Sequence, residues 1–70
     1  MSDTGTVARR GTPLTPAERR VIEVMRDCDT EAEAAAVLGV SVHTVHNHLA
    51  NARSRLGVRS TRRLLAKVAA

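Results

Sequence analysis

His43, His46, Asn47 and Asn51 lie within nine residues of one another, and their side chains suit two kinds of chemistry. Imidazole nitrogens ligate metals, whereas carboxamides donate and accept through adjacent atoms and so match the hydrogen-bonding edges of nucleic-acid bases. His43 and His46 are three apart, but no carboxylate or thiolate stands nearby to complete a coordination sphere, so no metal site is expected. The chain also has no nucleophile with a plausible base and orienting acid, no phosphate-binding glycine loop and no carboxylate pair that could be buried. An enzyme is therefore not expected, nor a cofactor. What remains is recognition through amides and imidazoles, and such recognition needs a scaffold.

The scaffold is legible in the caps. Thr15-Pro16-Ala17-Glu18 is a capping box with proline at the first helical position, which satisfies exposed amides and presets the backbone angle. Helix 1 should begin there and run to about Asp27, its apolar face carried by Ala17, Val21, Val24, Met25 and Cys28. Thr30-Glu31-Ala32-Glu33 reads as a second capping box, opening a helix 2 that ends at Leu38. Gly39 follows where a left-handed backbone is needed, and Ser41 can cap helix 3. Helix 3 should reach about Leu56 and stop at Gly57. Ser60 then opens helix 4. Two short helices around a glycine turn, with small Ala35 before it and Val45 pointing back into the join, fit a helix-turn-helix. The expected fold is thus all-α, a compact four-helix helix-turn-helix domain over residues 14–70 behind a flexible arm at 1–13.

At about 100° per residue, Val42, Val45, Leu49, Ala52 and Leu56 share the core side of helix 3. His43, Asn47, Ala50, Asn51 and Ser54 lie opposite, flanked by His46 and Arg53 on one side and by Thr44 and Arg55 on the other. That outer face is polar, small and nearly uncharged, whereas an ordinary solvated helix carries mixed Glu and Lys. Amides and imidazoles in the middle with arginines at the margins suit base edges and phosphates respectively. His48, at the edge of the core stripe, reads as a partly buried structural residue.

Charge points the same way. The net charge is +4, and residues 42–70 carry Arg53, Arg55, Arg59, Arg62, Arg63 and Lys67 without a single acid, so the positive field belongs to the C-terminal part. Arg9 and Arg10 on the arm could enter a minor groove. With one cysteine, Cys28, no internal disulfide can form; it reads as a small core residue. No aromatic residue is present, so Leu, Val, Ile, Met and Ala must build a small core, and a domain of this size gains from a partner. No apolar run has the length of a membrane span or signal peptide, which fits a cytoplasmic, nucleoid-associated protein with no membrane partner.

Through LTPAERRVIEVM, AAAVLGVSVHTVHNHL and RLGVRS, residues 14–68 resemble the LuxR-type (GerE-like) helix-turn-helix domain of bacterial transcription regulators. TVHNHLANARSRL is also similar to region 4 of sigma factors, but the GVRS segment and the short fourth helix favour the LuxR type. The resemblance implies a domain that binds double-stranded DNA as a homodimer, with helix 3 in the major groove and helix 4 supplying the dimer contact. It implies that Thr44, His46, Asn47, Ala50 and Asn51 face DNA and that Arg59 and Ser60 lie near the backbone. Three departures stand out: His46 where lysine is common, Ala32 for a frequent basic residue, and Cys28 for a frequent glycine.

Leu64, Leu65 and Val68 form a short apolar edge on helix 4, more than packing on so small a core requires, and are expected to be an exposed dimer strip. No receiver or ligand-binding domain is legible in these residues, and on the initiating Met and the arm a stand-alone regulator is expected rather than an excised domain. The alternative is a protein-interaction module of the same fold that docks on RNA polymerase, a sigma factor or a larger regulator.

Overall fold

The computed structural model describes residues 13–69, which form four helices: α1 (Pro16–Met25), α2 (Glu31–Leu38), α3 (Val42–Leu56) and α4 (Thr61–Ala69). The expected arm, with Arg9 and Arg10, lies outside the described residues except for Pro13. Helix α3 is the hub, packed on α1, α2 and α4, while α1 and α2 also pack on each other. The described part is thus all-α and measures 30 × 27 × 18 Å.

Each helix starts where a side chain can satisfy amides that the helix itself leaves open. The Thr15 hydroxyl accepts from Glu18 N–H at 3.1 Å, and the Glu18 carboxylate accepts from Thr15 N–H at 3.1 Å, completing the capping box. The second box is only half formed. Thr30 accepts from Glu33 N–H at 3.1 Å, but the Glu33 carboxylate reaches past Thr30 to Asp29 N–H at 2.7 Å. Ser41 caps α3 by accepting from Thr44 N–H at 3.1 Å, and Ser60 caps α4 by accepting from Arg63 N–H at 3.1 Å. Each such cap stabilises its helix by about 1 kcal/mol.

The ends of α2 and α3 share one device. Gly39 (φ 72°) and Gly57 (φ 70°) are left-handed, and the next residue in each case turns back, Val40 N–H to the Ala35 carbonyl and Val58 N–H to that of Arg53, both at 3.0 Å. A Cβ at Gly39 would meet no atom within 4 Å, so only the backbone angle selects glycine there, by about 1 kcal/mol. Helix α1 has no glycine at its end. Its chain tightens into Asp27 N–H to Val24 and Cys28 N–H to Met25, which is why the helix stops at Met25, short of Asp27.

The core is Val21, Ile22, Val24, Met25, Ala34, Ala35, Val45, Leu49, Ala52 and Leu64. Four expectations are corrected. Ile22, absent from the predicted α1 face, is fully buried, whereas Ala17 at its start is exposed. Val42, the first residue of α3, is exposed. Leu64 is not on an exposed strip: it has no accessible surface and closes the core beneath α4, leaving Leu65 and Val68 half-buried beside it.

Candidate nucleic-acid interface

Helix α3 carries the candidate face. Its first turns, held by the Ser41 cap, put His43, His46 and Asn47 on the exposed surface. Thr44 is half-buried and its hydroxyl lies 3.0 Å from that of Ser41, so it reinforces the cap at the edge of the face. Ala50, Asn51 and Ser54 continue along the helix as half-buried positions. The structure therefore exposes the N-terminal half of the predicted face fully and its C-terminal half in part. Asn47 Nδ2 donates to His43 Nε2 at 3.2 Å, one turn apart on this surface. His46 Nδ1 lies 3.4 Å from the Glu31 carboxylate at the start of α2. An acid thus borders the face on the side where a basic flank is expected from sequence.

The arginines divide by role. Arg59 is exposed in the loop before α4, and exposed Arg62 and Arg63 line a shallow basic recess with Ser60 and Ala66. Arg53 donates to the Thr61 hydroxyl at 3.0 Å, and Lys67 donates to the Leu56 carbonyl at 3.3 Å; both tie α4 to the end of α3. Arg55, expected at the margin of the reading face, has its Nε 2.8 Å from the Glu18 carboxylate. Glu18 is 3% exposed and the Arg55 side chain 20%, so this pair joins α1 to α3 at the border of the core. Ser60 likewise uses its hydroxyl to cap α4.

Sequence reasoning took Glu18 only as a capping residue. A signal was present: Glu18, Val21, Ile22 and Met25 recur at helical spacing, which puts the carboxylate on the same buried stripe as the apolar residues and so demands a partner. Nothing comparable in the sequence links Glu31 to His46, since their approach depends on the angle between α2 and α3.

Among the described residues, no cluster of three or more His, Cys, Asp or Glu could hold a metal ion, and no helix is long and apolar enough to cross a membrane. Cys28 is half-buried, and its thiol is pushed above the ordinary range by loss of solvent and by the neighbouring negative charges of Glu33, Asp27 and Asp29. A thiol held protonated in this way is a weak nucleophile. His48 is half-buried, as its place at the stripe's edge predicts, and lines a shallow groove with Ala17, Arg20, Val21, Leu38, Val40 and Thr44.

A capped helix with an exposed polar face, set across a glycine turn from a supporting helix and followed by a basic C-terminal segment, defines a helix-turn-helix domain of the DNA-binding, transcription-regulating class. Residues 12–68 match the model of the luxR family of bacterial regulatory proteins. The chain belongs to that family. It is 47% identical over 51 residues to the transcriptional regulatory protein UhpA of Salmonella typhimurium, an alignment covering 73% of this chain and 26% of UhpA. It is 44% identical over 46 residues to the spore germination protein GerE of Bacillus subtilis, covering 66% of this chain and 62% of GerE. The chain thus spans about a quarter and about three-fifths of the length of these two relatives. No solved structure matches it.

Proposed function

We propose that this domain regulates transcription by binding a two-half-site DNA element as a homodimer, with α3 in the major groove of each half-site. The observation that carries the reading is the first half of α3, where His43, His46 and Asn47 are exposed in a segment from residue 42 onward that contains no acid. Asn47 and Asn51 read base edges, with Thr44, Ala50 and Ser54 fitting the groove around them. Arg59, Arg62 and Arg63 neutralise phosphates near the Ser60 turn. Arg55 acts indirectly, by holding α3 against α1. The similarity to UhpA, by name a transcriptional regulatory protein, supports a regulatory role.

Dimer contact falls to Leu65 and Val68, the half-buried apolar residues of α4, with Leu64 supporting them from the core. Two reading helices about one DNA turn apart recognise a palindromic site with added affinity. Sedimentation on a full site tests this: two chains per duplex and one per half-site are expected, and a single chain on the full site contradicts the dimer.

Exposed Val37, Val40 and Val42 around the turn favour a second reading, in which the same domain docks on RNA polymerase, a sigma factor or a larger regulator through an apolar contact. Binding that persists as salt rises distinguishes such a contact from phosphate recognition.

A further inference from the structure

We infer that His43 is a specificity-determining positioning residue, which fixes the orientation of the Asn47 carboxamide before DNA arrives. The two side chains are exposed on the same face, one turn apart, with Asn47 Nδ2 3.2 Å from His43 Nε2. An amide nitrogen can only donate. The His43 Nε2 therefore accepts, and the neutral ring carries its proton on Nδ1. This hydrogen bond uses one of the two Nδ2 hydrogens and leaves the other, together with the carboxamide oxygen, for a further partner. Adenine presents N7 as an acceptor beside the N6 amino donor in the major groove, the complement of that remaining donor and acceptor.

The hydrogen bond also removes an ambiguity. A free asparagine side chain rotates and exchanges the places of its oxygen and nitrogen, so that it meets an acceptor–donor pair and its reverse with similar ease. Holding the nitrogen on the histidine side leaves one polarity, and rotamer freedom that binding would otherwise remove is already gone. This role for His43 rests on the proposal that α3 reads bases, but its first half can be tested without DNA.

In the free protein, nitrogen-15 NMR of His43 is expected to show the Nδ1–H tautomer with Nε2 as an acceptor coupled to an Asn47 amide hydrogen. A ring carrying its proton on Nε2 overturns the inference whatever the domain binds. The second half uses a duplex selected by the wild-type protein from a randomised library, and the same duplex with the A·T pair opposite Asn47 turned to T·A, which presents the donor and acceptor in the reverse order. His43→Leu is expected to reduce discrimination between the two about fivefold or more, with little change in affinity for unrelated DNA. His43→Gln, whose carbonyl can accept from Asn47, restores it. In a double-mutant cycle Asn47→Ala erases any further effect of His43→Leu. Additive effects would mean that His43 touches DNA by itself, and unchanged discrimination that it does nothing to Asn47; either result overturns the inference. Failure of the DNA reading is recognised separately, by a wild-type protein that enriches no sequence at all, and it removes the specificity role with it.

Discussion

Arg55 Nε lies 2.8 Å from the Glu18 carboxylate, and this pair helps to fasten the capped start of α1 to the second half of α3. Removing one member of a buried pair strands the other, which costs more than the pair contributes. Arg55→Met should destabilise the fold by about 3 kcal/mol, most of the roughly 3–5 kcal/mol available to a chain of this size. Adding Glu18→Gln, which keeps the reach back to Thr15 N–H, should recover most of that stability. Urea unfolding of the single and double variants checks this; equal stability of Arg55→Met and wild type would return Arg55 to the DNA margin.

The proposed interface gives Asn47 the reading of bases and Arg59 the clamping of phosphate. Asn47→Ala should lower affinity for the preferred site by about 1–3 kcal/mol and leave scrambled DNA almost unaffected. Arg59→Ala should weaken both alike and make the salt slope shallower by about 0.9 for each phosphate that the arginine had neutralised. Competition titrations with the two duplexes measure both effects, and an equal weakening on both for Asn47→Ala would move the reading face elsewhere.

Glu31, 3.4 Å from His46, puts a negative charge at the edge along which DNA phosphates would pass in the proposed interface. Glu31→Gln should raise affinity about twofold to fivefold at low salt, with the improvement fading as screening increases. His46→Lys should act in the same direction. Unchanged or weaker binding of Glu31→Gln at low salt would place that edge of the domain away from the backbone.

Much of this architecture is legible in the residues. Thr15, Thr30, Ser41 and Ser60 mark four helix starts because a hydroxyl before a helix has one favourable use, and Gly39 and Gly57 mark two ends for an equally local reason. The errors lie where tertiary packing decides. Ile22 and Leu64 are buried and Val42 is exposed according to which helix lies across from each, and Glu33 prefers Asp29 to Thr30 although both are within its reach. The exposed members of the α3 face follow from periodicity, while the hold of Glu18 on Arg55 and of Glu31 on His46 depends on packing angles that no local pattern records.

Leu64 and Leu65 are neighbours with opposite consequences. Leu64→Ala should cost about 2–5 kcal/mol by opening a cavity and leave a largely unfolded chain. Leu65→Asp should leave a folded monomer that binds a half-site normally and a full site poorly. Helical circular dichroism together with sedimentation on both duplexes decides it; a Leu65→Asp protein that still loads two chains on the full site would make α4 a structural brace alone.

The most direct measurement is the affinity of the wild-type protein for its selected duplex as salt is raised. Each phosphate neutralised contributes about −0.9 to the log–log slope, so a dimer using Arg59, Arg62 and Arg63 from each chain predicts a slope of roughly −4 to −8. A slope near zero would contradict DNA recognition by this face and leave the exposed valines around the turn as the functional surface.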